Sequence, residues 1–373
     1  MSRLAPLGVL LGLALILAQI APRVPRPAPV AVPTPTPVPA QVRTLNPKIG
    51  VHTRLTDEAD PAKIRESLRL VREMGAPWIT EYFPWVYIQP NDAAHFDWQH
   101  ADAVVDAAAA EGLTLIARFD GTPAWARPKD TTWKYLDPDH YADFAAFAGA
   151  FAARYRGKVQ YYQVWNEPNL SAEWGTRPPD PGAYTALLRA TYPAIKAADP
   201  AAQVLLAGLA PTLEPPGSTQ GLRDTTFLDD VYAAGGQPYF DALAVHAYGL
   251  QNPPDDPAGP DRLNFARTEI MHDVLVRHGD RAKPVLITEG GWNDSPRWIL
   301  AVRPYQRITY TLAAYEKALR DWPWCKAVTL WAFRYPKPAY TYFDNYTFVT
   351  SDFVPKPIYY EVQRYAQTGV VTP

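Results

Sequence analysis

A (β/α)8 barrel, an α/β fold with one catalytic-sized domain, is the fold class that the sequence predicts, and three observations predict it. Eight short β-branched or apolar runs follow residue 48, amphipathic stretches alternate with them, and the runs start 29 to 46 residues apart. That spacing matches the strand, loop, helix and loop of one barrel unit. The eight runs are 49 to 53, 78 to 83, 113 to 119, 159 to 166, 203 to 209, 240 to 248, 284 to 290 and 327 to 333. Their length suits strands buried on both faces of a parallel sheet.

The clearest helix is predicted over 59 to 76, where Asp60 is the N-cap, Pro61 takes the first helical position and Gly75 ends it. Apolar residues at three- and four-residue spacing predict four more, over 97 to 112, 139 to 157, 180 to 199 and 303 to 322. Pro193 is expected to kink the fourth of these five. Two long stretches rich in Pro and Gly, 211 to 224 and 249 to 263, follow the fifth and sixth strands, where barrels put substrate-contacting loops.

The barrel domain is expected to occupy 47 to 373. Before it, residues 5 to 21 (APLGVLLGLALILAQIA) follow Arg3 and carry almost nothing polar, as in the apolar core of an export signal. A cleaved signal peptide and a retained membrane anchor over 1 to 21 both fit, so membrane attachment through 5 to 21 is open. Residues 22 to 46 are Pro-rich and Thr-bearing, a composition that favours an extended spacer over a packed one. The expected location is extracytoplasmic, either secreted or anchored at the cell surface.

Composition narrows the function. The net charge of −2 comes without any basic block, which argues against nucleic acid as a partner. Cys325 is the single cysteine, so an intramolecular disulfide or a cysteine-built metal site is excluded. The seven His show no metal-ligand spacing, and neither a metal nor a cofactor is expected. Twelve Trp and 22 Tyr provide flat faces with a polar edge, suited to core packing and to stacking on sugar rings alike.

Two glutamates end apolar runs: Glu167 in WNEPN after the fourth, and Glu289 in ITEGG on the seventh. They stand 122 positions apart, yet the C-terminal ends of barrel strands converge on one mouth. A facing pair of carboxyl groups is what glycosidic bond cleavage requires, one to protonate the leaving oxygen and one to attack carbon. In that chemistry Glu167 must alternate between acid and base while Glu289 stays ionised.

Over about residues 48 to 366 the sequence resembles glycoside hydrolase clan A, the retaining (β/α)8 enzymes, and its VWNEPN and LITEGGW strings carry the resemblance. NEPN with HAYG is most like the xylosidase and iduronidase branch, with cellulase-like members also similar. The resemblance implies that Glu167 is the acid/base and Glu289 the nucleophile. It further implies that Asn166 bonds the sugar 2-hydroxyl, that His246 and Tyr248 border the pair with Tyr248 bonded to the nucleophile, and that Trp331 is the platform under the cleaved sugar. Two departures stand out. Several relatives carry an early-strand Arg on the nucleophile, whereas the second strand here has Glu81, open to roles in substrate choice, in pairing with Arg118 or in structure. Arg118, beside Asp120, is the nearest cationic substitute. Trp125 and Trp292 are expected to contact substrate, and His52 and Trp85 either line subsites or pack.

The function expected is retaining hydrolysis of a β-linked oligo- or polysaccharide, with a carbohydrate substrate. Two rivals remain at this level: a non-catalytic carbohydrate-binding barrel, and a transglycosylase using the same glutamates.

Overall fold

A computed structural model describes residues 41–371. The expected export segment or anchor at 1 to 21, and the expected linker as far as residue 40, lie outside the described residues. Eight parallel strands close into a barrel in chain order: β1 (Ile49–His52), β2 (Trp78–Pro84), β3 (Thr114–Asp120), β4 (Tyr161–Asn166), β5 (Gln203–Leu209), β6 (Ala242–Tyr248), β7 (Val285–Gly291) and β8 (Cys325–Trp331). All eight expected strands are present, each within about two residues of its expected bounds, the scatter that fraying and pairing normally produce. The seam pairs β1 with β8 at Gly50↔Thr329 and with β2 at Gly50↔Trp78. A Cβ at position 50 would lie 2.6 Å from the Thr329 methyl and 2.8 Å from the Trp78 Cβ, so only glycine closes the barrel there.

Helix α1 (Pro61–Glu73) forms as its caps predict: the Asp60 side chain accepts from the Ala62 amide, and Gly75 takes a φ of +86° just beyond the end. It buries Ile64, Leu68 and Val71. A single turn, α2 (Trp85–Ile88), follows β2, and then come α3 (Gln99–Ala110), α4 (Tyr141–Arg154) and α5 (Pro181–Ala198). Helix α5 runs through Pro193 to Ala198. Three further helices had no clear periodic signal: α6 (Asp224–Ala233), α7 (Arg267–Arg277) and, after α8 (Pro304–Arg320), α9 (Pro357–Thr368). Tertiary contacts hold them. Buried Asp224 takes Arg267 in a two-pronged ion pair of 2.6 and 2.7 Å that ties α6 to α7. The Tyr359 hydroxyl on α9 donates to the Leu70 carbonyl on α1, closing the helical ring.

The barrel interior is layered, and the layering positions the chemistry. Its lower part is apolar, filled by Trp78, Ile116, Tyr161, Leu205, Ala244 and Leu286 among others. Above it sit Thr80 and Thr329, bonded hydroxyl to hydroxyl at 2.7 Å. The charged side chains that face the barrel interior, Arg118, Asp120 and Glu289, stand towards the C-terminal ends of their strands, because an unpaired charge deeper in the apolar layer would be costly.

Candidate active site

The fourth strand ends with its alternation broken. Trp165 has φ +75° and Glu167 φ +41°, a left-handed conformation unusual for side chains of this size. Trp165 turns outward against Phe144 and Trp174, and Asn166 and Glu167 both line the central cavity, although adjacent strand residues normally face opposite ways. Strained backbone of this kind concentrates at functional sites. The cavity at the mouth measures about 650 Å3, and Glu289 lines it as well.

Glu289 projects from β7 into a buried cluster. Arg118 Nη1 donates to its Oε1 at 2.5 Å, and the Tyr248 hydroxyl donates to its Oε2 at 2.9 Å. Burial on its own pushes this carboxyl up; the charges of His246 and Arg118 and the tyrosine hydrogen bond outweigh that and hold it at about 2. Arg118 on β3 therefore supplies the cationic support that the second strand lacks. The Tyr248 phenol is pushed well above its ordinary value by burial and then by the Glu289 charge, so it remains a donor.

His246 lies between the two glutamates, its Nδ1 2.7 Å from Glu167 Oε1 and 3.7 Å from Glu289 Oε2. Burial lowers its pKa, yet the Glu289 and Glu167 charges prevail and raise it, which favours an imidazolium donating to Glu167. The imidazole fits because residue 208 on β5 is glycine: a Cβ there would lie 2.3 Å from His246 Nε2. His52 behaves oppositely. Its Nδ1 is 2.6 Å from the Thr53 carbonyl and its Nε2 faces Arg118 at 3.5 Å. Burial, reinforced by Arg118 and Arg54 against the pull of Glu289, depresses it to about 3, so it is a neutral wall of the site.

The ligand atoms of Glu167, His246 and Glu289 all lie within 4.8 Å of one another. That convergence would suit a cation as well as a pair of reacting carboxyls. The guanidinium on Glu289 already supplies positive charge there, which disfavours a metal ion at this position.

Other expected residues divide. Trp331 lines the cavity, tilted against the His52 ring with centroids 4.6 Å apart, and its indole N–H donates to the Tyr335 hydroxyl. Trp125 and Trp292, expected to contact substrate, are not among the residues that line the cavity, because each packs against other side chains instead. The indole of Trp125 donates to the Gln89 carbonyl while its ring packs edge-on to Trp85, itself fully buried. Trp292 is 2% exposed, donates to the Asn252 carbonyl and packs on Phe265. Glu81 is fully buried and accepts from the Leu55 and Thr56 amides and the Thr56 hydroxyl at 2.7 to 3.1 Å, so it staples the loop after β1 and makes no pair with Arg118.

Several cavity residues had no signal in the sequence. Lys134 and Glu173, 2.8 Å apart, come from the loops after β3 and β4. Burial, added to by Asp120 and Glu167 and opposed by Lys134, raises the Glu173 carboxyl. Trp298, Tyr342, Phe343 and Tyr346 form an aromatic rim from the loops after β7 and β8. The long loops after β5 and β6 do reach the cavity, through Pro211, Leu250 and Leu263. Glu173, a carboxylate six residues past Glu167 in a strand-end loop, was the one that position could have flagged.

No protein-family model matches the chain, and no curated protein matches it by sequence. Among solved structures it is similar to a family 39 glycoside hydrolase from the gut symbiont Bacteroides cellulosilyticus WH2, at 22% identity and a TM-score of 0.71 over 88% of this chain. The chain spans only 64% of that protein's length. It is also similar to GH5_18 from Streptomyces cattleya in complex with GlcNAc, at 19% identity and a TM-score of 0.62, covering 88% of this chain and 82% of the other. A glucosidase from Croceicoccus marinus aligns at 15% identity and a TM-score of 0.63, over 89% of this chain and 69% of its own. At these identities the likeness shows the fold: a single (β/α)8 barrel.

Proposed function

We propose that the protein is a retaining glycoside hydrolase that cleaves β-linked carbohydrate, with Glu167 as acid/base and Glu289 as nucleophile. The observation that carries the reading is the facing pair: an oxygen of each carboxyl lies within 4.8 Å of the other across the cavity. Retaining enzymes hold the two groups about 5 to 5.5 Å apart, whereas inverting ones leave about 6.5 to 9.5 Å for a water. The environments differ as the two roles require. Glu289, bound by Arg118 and Tyr248, is kept ionised to attack the anomeric carbon. Glu167 Oε1 is taken by His246, which leaves Oε2 to protonate the departing oxygen and later to deprotonate water. Asn166 beside them meets the sugar 2-hydroxyl, and Trp331 with the aromatic rim stacks on sugar faces. The fold of the three solved neighbours, each named as a glycoside hydrolase or glucosidase, supports the same reading. Action outside the cytoplasm, by secretion or through an anchor at 5 to 21, belongs to the proposal on the strength of that segment's sequence alone.

The test is turnover of a panel of 4-nitrophenyl β-glycosides, with proton NMR of the first-formed anomer. Glu289→Ala should abolish hydrolysis, and Glu167→Ala should lose activity that azide partly restores by replacing water at the second step. Full activity in Glu289→Ala, or an inverted anomer, would sink the proposal. Glycan binding without cleavage would favour the non-catalytic barrel instead.

A further inference from the structure

Five side chains on one wall of the cavity form a closed circuit. Arg118 Nη1 donates to Asn166 Oδ1 at 3.0 Å, Asn166 Nδ2 donates to Glu173 Oε2 at 3.3 Å, and Lys134 Nζ reaches the same Glu173 oxygen at 2.8 Å. Lys134 also donates to Asp120 Oδ1 at 2.9 Å, and the other Asp120 oxygen faces Arg118 Nε at 3.5 Å, so the last link is an ion pair without a hydrogen bond. Asp120 is fully buried, and the side chains of Arg118 and Lys134 are 5% and 13% exposed. Water therefore competes little for these partners. Backbone anchors Glu173 as well, since the Trp165 indole donates to its carbonyl at 2.9 Å.

The circuit settles which way the Asn166 amide points. A guanidinium only donates, and a carboxylate only accepts. Turned over, the amide would set its NH2 against Arg118 and its oxygen against Glu173, losing both hydrogen bonds and adding two repulsions. With the orientation fixed, one Nδ2 hydrogen is spent on Glu173, and the second is left for a ligand in the cavity that Asn166 and Glu167 share. Arg118 sets one side of this choice but also holds Glu289, whereas Glu173 bonds Asn166 and Lys134 and makes no contact with the facing pair.

We infer that Glu173, held by Lys134, is a positioning residue that locks the Asn166 amide with an N–H turned into the cavity, towards the 2-hydroxyl that the proposed function already assigns to it. The inference rests on the function proposed above, with Glu173 acting through Asn166. Glu173→Gln is the informative change, because Lys134 keeps the new amide's oxygen towards Asn166 and Arg118 still takes Oδ1, while the charge-assisted hydrogen bond that holds Nδ2 gives way to a weaker neutral one.

The experiment compares the 4-nitrophenyl β-D-glycoside that the wild type turns over fastest with its 2-deoxy counterpart. On the parent glycoside, Glu173→Gln should lower kcat/KM by roughly tenfold or more, the worth of one well-placed hydrogen bond in the transition state. The 2-deoxy glycoside has nothing for the amide to hold, so its kcat/KM should change by less than about twofold. Asn166→Ala combined with Glu173→Gln should be no slower than Asn166→Ala alone. Equal losses on both glycosides, or none on the parent, overturn the inference. If Glu173→Gln does not fold, Lys134→Met takes its place with the same pattern expected. Should the wild type cleave no glycoside, the function fails, and NMR of 15N-asparagine-labelled protein still decides the circuit. One Asn166 side-chain proton should be shifted downfield in the wild type and return in Glu173→Gln; an unchanged resonance overturns it.

Discussion

Replacing Arg118 with Met removes the guanidinium from Glu289 and keeps most of its aliphatic bulk. In the native site Glu289 is lowered from 4.5 to about 2, against the upward push of burial. That depression corresponds to roughly 3 kcal/mol in favour of the ionised form. His246 is the largest of the charges that hold Glu289 down and Arg118 the next, and a unit charge pair about 4 Å apart at an effective dielectric near 20 is worth about 4 kcal/mol, so losing Arg118 removes a substantial share. Without Arg118, burial is opposed by His246, His52 and Tyr248, and Glu289 should rise by on the order of one unit, towards the ordinary carboxylate range. The assay is kcat/KM on an aryl glycoside from about pH 3 to pH 8, where the acid limb reports the nucleophile. In the wild type that limb should lie at the acid edge of the range, and in Arg118→Met it should move up by at least about one unit. Stability follows the same linkage. Because the folded-state pKa is depressed, the stabilisation from Glu289 is fully present above its ordinary 4.5 and is lost as the pH falls towards about 2. In Arg118→Met that contribution should shrink across the window, leaving Tm less dependent on pH there. An active Arg118→Met whose acid limb has not moved would refute the electrostatic argument.

Two further changes separate chemistry from scaffold. Gly208→Ala puts a Cβ 2.3 Å from His246 Nε2, so the ring must swing and its 2.7 Å contact with Glu167 must break. A loss in kcat of roughly a hundredfold, the scale of acid–base catalysis, is expected in a protein that still folds; wild-type kcat would disprove a role for that contact. Glu81→Ala leaves the two buried Leu55 and Thr56 amides without their acceptor, while the Thr56 hydroxyl keeps the Tyr82 carbonyl, which should cost about 2 to 4 kcal/mol in urea unfolding and leave kcat within about twofold. A collapse of kcat in folded Glu81→Ala would return that carboxylate to the active site.

Strand number, order and bounds were legible because buried parallel strands are continuous apolar runs and the repeat length is nearly constant. The two glutamates were legible for a related reason, since a carboxylate ending such a run has no place in the apolar interior and must stand at the mouth. Helices α6, α7 and α9 were not, because the Asp224–Arg267 pair and the Tyr359 hydrogen bond that hold them join residues 43 and 289 positions apart. Trp125 and Trp292 were misread for the complementary reason: a strand-end indole reads the same whether it stacks on a ligand or on Phe265, and only its neighbours decide.

Sequence by itself thus determined the barrel, its mouth and the identity of the facing carboxyls, all of which follow from local pattern and a regular period. Tertiary structure alone decided what surrounds them: that Arg118 holds Glu289 ionised, that Glu81 turns away into a loop, and that Lys134 and Glu173 close a circuit on Asn166. The physical reason is range. Propensity and periodicity act over a few residues, whereas the charge on a buried carboxyl depends on every group within several ångströms, and the fold draws those groups from strands and loops far apart in the chain.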